Sequence, residues 1–161
     1  MTITLEESLR DILTQRKLKL ACAESCTGGL LAHRITNISG ASEFFCGGVV
    51  PYSYEAKVSV LGVSWDTLNK AGAVSEETVR EMARGTRKLF AADIAVSISG
   101  IAGPSGGTPD KPVGTTWIGL CAQEGEWARH FVWPGDRRQN KHDSSEAALQ
   151  LVIDFLAGKL A

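Results

Sequence analysis

A serine followed closely by two glycines is the first feature of this sequence that suggests chemistry. Ser25 lies in the segment AESCTGG at residues 23–29, after a short apolar run and before a helical pattern. A serine at such a strand-to-helix corner can present its hydroxyl clear of the sheet, and free N–H groups at the helix start can stabilise an oxyanion or hold an anion. The pattern therefore makes Ser25 a candidate nucleophile. It also predicts that the ligand is contacted by Cys26, Thr27, Gly28 and Gly29.

Two other interpretations of this segment stay open. Ser25 or Thr27 can simply cap the helix, which is what serine and threonine usually do at this place. Cys26 competes as nucleophile because a thiol at a helix N-terminus has a lowered pKa, but a cysteine nucleophile normally needs a histidine base. His33 falls about two turns further along the same helix, so the sequence favours a packing role for Cys26.

A lysine in a second polar segment offers a base for Ser25. The segment PYSYEAK covers residues 51–57 and follows another apolar run. Lys57 is a useful base only if its pKa falls from ~10.4 toward neutrality, through burial or nearby positive charge. Tyr52 is the candidate to relay a proton or to donate to the oxyanion. The alternatives are a solvated surface lysine beside Glu55 and an ordinary half-buried tyrosine.

A glycine-rich loop and an arginine complete the candidate binding groups. Glycines after the predicted strand DIAVSIS let backbone N–H groups approach a phosphate or a carboxylate. The sequence therefore predicts ligand contacts from Ser99, Gly100, Ile101, Ala102 and Gly103. Arg137 can clamp a phosphate through paired hydrogen bonds. The alternatives are a flexible connection for the loop and, for the arginine, a surface salt bridge with Asp136 or Glu146.

The elements that must position these residues alternate along the chain. Apolar spacing and capping residues predict helices at 3–17, from Thr27-Gly28-Gly29 to about 36, at 53–61, from 75 to about 90, and at 143–160. Strands are predicted at 18–23, 44–51, 93–99, 113–122 and 127–133, with the last two as a hairpin. This order indicates an α/β layered domain with a mixed sheet. Because ligands bind beyond the carboxyl ends of strands, we expect residues 24–29, 51–57 and 99–108 to converge.

The composition is that of an ordinary globular protein. The chain has 161 residues, a net charge of −1, 43% hydrophobic and 22% charged residues, which predicts one domain over residues 1–161. No basic block is present to follow a nucleic-acid backbone, so nucleic-acid binding is not expected. No apolar run reaches the ~20 residues that span a bilayer, and the N-terminus lacks the features of a signal peptide. A cytoplasmic location without membrane contact is expected.

The cysteines and histidines do not follow a metal-binding pattern. Cys22, Cys26, Cys46 and Cys121 form no CxxC pair, and the histidines are scattered along the chain. This spacing predicts reduced, partly buried thiols and no metal site.

Five motifs, in this order and spacing, resemble the C-terminal domain of CinA, the competence/damage-inducible protein. They are AESCTGG, GGVVPYSYEAKVSVLGV, GAVSEETVREMA, SISGIAGPSGGTPDKPVGTTWIGL and GDR, and the resemblance covers about residues 5–157. It implies a three-layer α/β/α fold with a mixed, mostly parallel sheet, without a cofactor or a required metal. It also implies a nicotinamide-nucleotide amidase of the stand-alone type. Such an enzyme converts nicotinamide mononucleotide to nicotinic acid mononucleotide and ammonia in pyridine-nucleotide salvage.

The resemblance also implies roles for individual residues. The serine of AESCTGG is Ser25, the lysine of the Y-S-x-E-A-K motif is Lys57, and Tyr52 opens that same motif. In the expected acyl-enzyme mechanism Lys57 takes the proton of Ser25, and backbone N–H groups of 26–28 or 99–103 hold the oxyanion. The substrate phosphate would rest on glycine-loop amides or on Arg137. The expected partner is a small nucleotide, and the chain is open to forming a homo-oligomer.

Departures from the family pattern keep other functions open. The family usually has threonine where Pro51 stands, a small polar residue where Tyr54 stands, and an Ile-Arg pair where Asn140 and Lys141 stand. Tyr54 is close enough in sequence to Lys57 to crowd the base or reshape the pocket. Lys141 keeps the charge of arginine without its planar fork. The alternatives are an inactive paralogue that binds a nucleotide and, from the family's name alone, an interaction protein.

Overall fold

The computed structural model describes residues 2–160 and gives this part of the chain alternating helices and strands. The helices are α1 Leu5–Arg16, α2 Leu30–Thr36, α3 Tyr54–Leu61, α4 Trp65–Ala71, α5 Glu76–Phe90 and α6 Arg137–Leu156. The strands are β1 Leu20–Glu24, β2 Phe45–Val49, β3 Ile94–Gly100, β4 Thr115–Ala122 and β5 Gly125–Val132. A short 3-10 helix, Ala41–Glu43, precedes β2.

The strands form one mixed sheet in the order β2-β1-β3-β4-β5. β1 pairs in parallel with both β2 and β3, whereas the β3–β4 and β4–β5 pairs are antiparallel. The predicted mixed sheet and the predicted hairpin of β4 and β5 are confirmed. Parallel pairs make up half of the pairings rather than most of them, because β4 runs against β3 and the hairpin then adds a second antiparallel pair.

Helices cover both faces of the sheet, which confirms the three-layer α/β/α architecture. On one face α1, α2 and α6 pack in a core that includes Leu9, Leu31 and Leu149. On the other face α3 and α4 pack against α5, and Leu61 and Met82 belong to a second cluster. β1 is buried along its whole length, as expected for a central strand with helices on both sides.

The polar segments of the sequence meet at one edge of this sheet. Because β1, β2 and β3 are parallel, their carboxyl ends, at Glu24, Val49 and Gly100, lie on the same side. β4 begins at that edge and β5 ends there, which brings the start of α6 to it as well. Open α/β sheets bind their ligands in this position.

Two helices differ from the sequence prediction. α6 begins at Arg137 rather than at Asp143, because the side chain of Asp136 accepts a hydrogen bond from the amide of Gln139 and caps the helix there. The first turns of α6 are polar, so the apolar spacing that predicts the helix starts only later. The sequence does not predict α4, since Leu68 is the buried residue of this short helix and one apolar position shows no helical period.

Gly85 gives a stability prediction that runs against helix propensity. Alanine in a helix interior is normally more stable than glycine by about 1 kcal/mol. In α5, however, a Cβ on Gly85 would overlap the carbonyl oxygen of Leu61 at the end of α3. We expect Gly85→Ala to lower the free energy of unfolding by about 1–3 kcal/mol, the usual cost of overpacking. Urea unfolding followed by circular dichroism measures the change, and unaltered or increased stability would contradict this packing of α5 on α3.

Candidate functional site

Ser25 and Lys57 meet at this edge of the sheet. Ser25 directly follows β1, and its amide donates to the carbonyl of Ile98 at 3.0 Å, which ties the turn to β3. Lys57 lies on α3 with its Nζ 3.1 Å from Ser25 Oγ. Ser25 is 8% exposed and Lys57 is 1% exposed. A hydroxyl and an amine within hydrogen-bond distance and shielded from water have the geometry of an activated nucleophile and its base.

Burial among neutral groups sets the protonation of Lys57. Its Nζ also donates to the backbone carbonyls of Pro51 at 3.0 Å and Tyr52 at 3.2 Å. No carboxylate within residues 2–160 forms an ion pair with it. Burial lowers the pKa of Lys57, because the ammonium loses hydration without gaining a counter-charge. In the neutral amine the two carbonyls take the two N–H donors, which leaves the lone pair for the Ser25 hydroxyl.

Sequence reasoning misses Glu24, the residue that caps α2. Glu24 is 1% exposed. Its carboxylate accepts hydrogen bonds from Thr27 Oγ1 at 2.6 Å and from the amides of Leu31 at 2.8 Å and Ala32 at 3.0 Å. Gly29, the residue at the N-cap position, has no side chain to do this. The sequence offers only a weak signal for this role, an acid placed a few residues before the predicted helix.

The cap from Glu24 decides between the alternatives for this turn. Thr27 donates its hydroxyl to Glu24 instead of accepting from the helix, and Ser25 Oγ faces Lys57. Neither hydroxyl therefore caps α2. The amides of Cys26 and Thr27 donate to no backbone carbonyl in the described part of the chain.

Cys26 occupies a packing position beside the serine. It is 7% exposed, and its sulfur lies against Gly100, where a Cβ would come within 3.1 Å of Sγ. Burial raises the pKa of the Cys26 thiol to about 11, and the nearby charges of Lys57 and Lys141 offset this only in part. The thiol stays protonated at neutral pH, which supports Ser25 as the nucleophile. The chain's four cysteines are free, and Cys46 is the exposed one.

The glycine-rich loop presents backbone groups to the site. Ser99 is buried at the end of β3. The amide of Ile101 donates to the carbonyl of Thr115 at 2.8 Å, which fixes the start of the loop. The amides of Ala102 and Gly103 donate to no backbone carbonyl within residues 2–160. The loop is therefore held in place and still leaves N–H groups for a ligand.

The first turns of α6 hold this loop. Arg137 Nη1 donates to the carbonyl of Gly103 at 2.8 Å. Asn140, which is 1% exposed, donates from Nδ2 to the carbonyl of Ala102 at 3.0 Å and accepts at Oδ1 from the amide of Gly135 at 3.0 Å. Asn140 thus links the start of α6 to the glycine-rich loop. The sequence does not predict this role, because one of its backbone partners, Ala102, is distant in sequence.

Arg137 also reaches toward Tyr52. Its Nη2 donates to Tyr52 Oη at 3.4 Å, and Tyr52 is 59% exposed. Tyr52 therefore contacts Lys57 through its carbonyl, while its exposed phenol contacts Arg137. The alternative salt bridges of Arg137 do not form, since Asp136 caps α6 and Glu146 pairs with another arginine.

Tyr54 and Lys141, the departures from the family pattern, leave the Ser25–Lys57 pair unobstructed. Tyr54 Oη accepts a hydrogen bond from the amide of Ala73 at 3.3 Å, so its hydroxyl is held at the junction of α4 and α5. Lys141 Nζ lies 3.8 Å from the place that a Cβ on Gly28 would take. Gly28 has a φ of 61°, a left-handed conformation that favours glycine. Lys141 thus brings a positive charge to the turn after Ser25.

A cleft of about 540 Å³ lies between the glycine-rich loop and the start of α6, within the range of about 300–1,000 Å³ typical of small-molecule sites, and neither Ser25 nor Lys57 is among its lining residues. It is lined by Ala102, Pro104, Val113, Gly135, Asp136, Arg137 and Arg138. Within residues 2–160, no group of at least three histidine, cysteine or acidic side chains is placed to hold a metal ion. The helices of this same range are too short or too polar to cross a membrane.

Fold and site together define an α/β/α domain with a buried serine–lysine pair at the carboxyl edge of its sheet. The chain belongs to the CinA family, because its residues 2–156 match the CinA C-terminal domain. A CinA-like protein of Thermotoga maritima is 52% identical over 155 residues, which cover 96% of this chain and 38% of that relative. A CinA-like protein of Chlorobaculum tepidum is 51% identical over 92% of this chain and 36% of its own length. The chain thus spans well under half the length of these curated relatives.

Solved structures share the whole architecture. The competence damage-inducible protein A from Klebsiella pneumoniae has a TM-score of 0.92 at 37% identity, over 95% of this chain and 95% of that one. The CinA superfamily protein from Escherichia coli has a TM-score of 0.90 at 31% identity, over 94% of this chain and 90% of that one. These similarities confirm both the fold and the family predicted from the motifs.

Proposed function

We propose that this domain is an amidohydrolase that works through an acyl-enzyme on Ser25, with Lys57 as the base. The observation that carries the proposal is the distance of 3.1 Å between buried Lys57 Nζ and Ser25 Oγ. Burial lowers the pKa of Lys57, so the neutral amine can accept the hydroxyl proton. A purely structural role accounts poorly for the pair, because a buried lysine without a carboxylate partner is costly.

The proposed reaction uses groups that already surround the turn. Lys57 takes the proton of Ser25 while Oγ forms a bond to the carboxamide carbon. The carbonyl oxygen becomes an oxyanion, for which the amides of Cys26 and Gly103 are the candidate donors. The C–N bond then breaks, and Lys57 returns the proton to the departing ammonia. Lys57 then deprotonates a water molecule, whose oxygen bonds to the ester carbon. The bond from that carbon to Ser25 Oγ breaks, and Lys57 returns the proton to Oγ, which restores the serine and releases the acid.

Nicotinamide mononucleotide is the proposed substrate, and nicotinic acid mononucleotide and ammonia are the products. CinA-family membership supports this choice. The electron-poor pyridinium ring makes the carboxamide carbon a better electrophile, and its positive charge favours the neutral form of nearby Lys57. Arg137 and Lys141, both on α6, are the candidate cations for the phosphate. None of these steps requires a cofactor.

Ammonia release from nicotinamide mononucleotide tests the proposed function directly. We expect the purified domain to form ammonia and nicotinic acid mononucleotide in equal amounts, and Ser25→Ala to form neither. Nicotinamide and nicotinamide riboside serve as controls for the contribution of the phosphate and the sugar. Binding of the nucleotide without turnover would contradict the enzyme and favour a nucleotide-binding paralogue.

The protonation of Lys57 predicts how activity depends on pH. The active form is the neutral amine, so kcat/KM should rise with pH while Lys57 loses its proton and then level off. Because burial lowers the pKa of Lys57, the midpoint of this rise should lie below ~10.4, the usual value for lysine. Rate profiles between pH 5 and 10 give the midpoint. The residual activity of Lys57→Ala should lack this rise, and a wild-type rate that falls with increasing pH would contradict a lysine base.

A further inference from the structure

Glu24 is a buried acid that the proposed reaction does not use. We propose that Glu24 is a positioning residue whose carboxylate replaces the missing side-chain cap of α2 and so leaves the Ser25 hydroxyl free to face Lys57. The inference rests on the proposed function, because it concerns the nucleophile of that reaction.

The start of α2 needs acceptors that its own residues do not supply. The first N–H groups of a helix have no partner within the helix. At α2 the N-cap residue is Gly29, which makes no side-chain cap. The amides of Leu31 and Ala32 instead donate to Oε1 and Oε2 of Glu24, at 2.8 and 3.0 Å. One carboxylate from the end of β1 thus satisfies two donors of the following helix.

The hydroxyls that would otherwise compete for this capping position are those of the turn. Serine and threonine are among the preferred helix caps, and Ser25 and Thr27 lie in the turn that leads from β1 to α2. Thr27 donates to Glu24 at 2.6 Å, and Ser25 Oγ lies 3.1 Å from Lys57 Nζ. Without the carboxylate, the amides of Leu31 and Ala32 would have no acceptor. An unpaired buried amide is costly, so a hydroxyl oxygen that can rotate toward these amides would gain stability by accepting from them. A Ser25 hydroxyl that turned to α2 would leave Lys57.

The charge of Glu24 acts in the same direction. A carboxylate at a helix start is favourable because the helix dipole is positive there. The same negative charge lies near Cys26, where it adds to burial in keeping the thiol protonated. Glu24 therefore leaves the Ser25 hydroxyl free to face Lys57 and helps to keep the Cys26 thiol protonated.

Steady-state kinetics of Glu24→Ala and Glu24→Gln test this role, with Thr4→Ala as the matched control. Thr4 caps α1 at an exposed position, far along the chain from Ser25, so its loss removes a helix cap that does not touch the turn. We expect Glu24→Ala to lower kcat by about 10²-fold with KM changed by less than about threefold, as for a misplaced reacting group. Glu24→Gln keeps an acceptor for Thr27 and Leu31 but not a second one for Ala32, so its loss should be smaller. Thr4→Ala should lower the thermal midpoint and keep kcat.

The reaction of Ser25 with a fluorophosphonate gives a readout that does not depend on the natural substrate. In that reaction Ser25 Oγ forms a bond to phosphorus, fluoride leaves, and Lys57 takes the proton. Both Glu24 variants should be labelled more slowly than wild type, as measured by intact mass. If Glu24 variants matched Thr4→Ala in kcat and labelling rate, Glu24 would be only a structural cap and the inference would fail.

These experiments test the proposed function and the role of Glu24 independently. A wild-type protein that releases no ammonia from nicotinamide mononucleotide contradicts the proposed function, and the labelling rates still decide the role of Glu24. If Glu24→Ala does not fold, Glu24→Gln carries the comparison, since it keeps the shape of the side chain. A Glu24→Gln variant with wild-type kcat and wild-type labelling would overturn the positioning role.

Discussion

Ser25→Ala should abolish turnover of nicotinamide mononucleotide, whereas Cys26→Ala should keep most of it. Ser25 Oγ is the hydroxyl that lies 3.1 Å from the amine of Lys57. Loss of the nucleophile in a serine hydrolase costs on the order of 10⁶ in kcat, so the expected activity is close to background. Cys26 holds a protonated, buried thiol with a pKa of about 11, so its removal affects packing rather than chemistry.

The pair of variants also tests the nucleophile by mass. Wild type and Cys26→Ala should accumulate a fluorophosphonate adduct on residue 25, and Ser25→Ala should not. Circular dichroism and thermal unfolding check that each variant is folded. Cys26→Ala should be somewhat less stable, because it leaves a small cavity against Gly100. An inactive Cys26→Ala beside an active Ser25→Ala would transfer the role of nucleophile to the sulfur.

The sequence is sufficient to predict where the candidate site lies in the fold. Strands that alternate with helices place their carboxyl ends at one edge, and the segments that contain Ser25 and Lys57 each follow such a strand. Their convergence therefore follows from topology alone. The direct contact of Oγ and Nζ does not follow, because it depends on the rotamer of Lys57 and on the carbonyls of Pro51 and Tyr52.

The supporting hydrogen bonds are the part that the sequence does not predict. Glu24 caps amides that lie seven and eight residues further along the chain, and Asn140 bonds to Ala102 and Gly135. Such contacts join side chains to backbone atoms and leave no periodic pattern in the sequence. Tyr54 is a further contact that the sequence does not predict. Its proximity to Lys57 in sequence suggests that it crowds the lysine, but its hydroxyl accepts a hydrogen bond from the amide of Ala73.

The start of α6 shows how such contacts displace a predicted boundary. The apolar residues of α6 begin near residue 147, but its first turns are polar because they face the loop that contains Gly103. A helix boundary read from apolar spacing is late wherever the helix serves a site instead of the core. Arg137 and Asn140 fall in this early part of α6, so the same polar turns that obscure the boundary belong to the candidate site.

Lys57→Arg should be nearly as damaging as Lys57→Ala, and this comparison tests the mechanism most directly. Arginine keeps the positive charge and a similar reach, but its guanidinium cannot lose a proton at working pH. Loss of a general base typically lowers the rate by ~10²–10⁴-fold. If Lys57 served only to attract the phosphate, arginine would replace it well.

Lys57→Met separates this loss of chemistry from a loss of folding. Methionine has a similar length and no charge, so it should occupy a site that is 1% exposed without a desolvation cost. We expect Lys57→Met to fold, with a free energy of unfolding lowered by about 1–3 kcal/mol at most because the carbonyls of Pro51 and Tyr52 lose their donor, and to be as inactive as Lys57→Ala. Single-turnover hydrolysis of nicotinamide mononucleotide measures the chemical step for each variant. A Lys57→Arg enzyme within a few-fold of wild type would remove Lys57 from the role of base and leave Tyr52, whose phenol accepts a hydrogen bond from Arg137, as the next candidate.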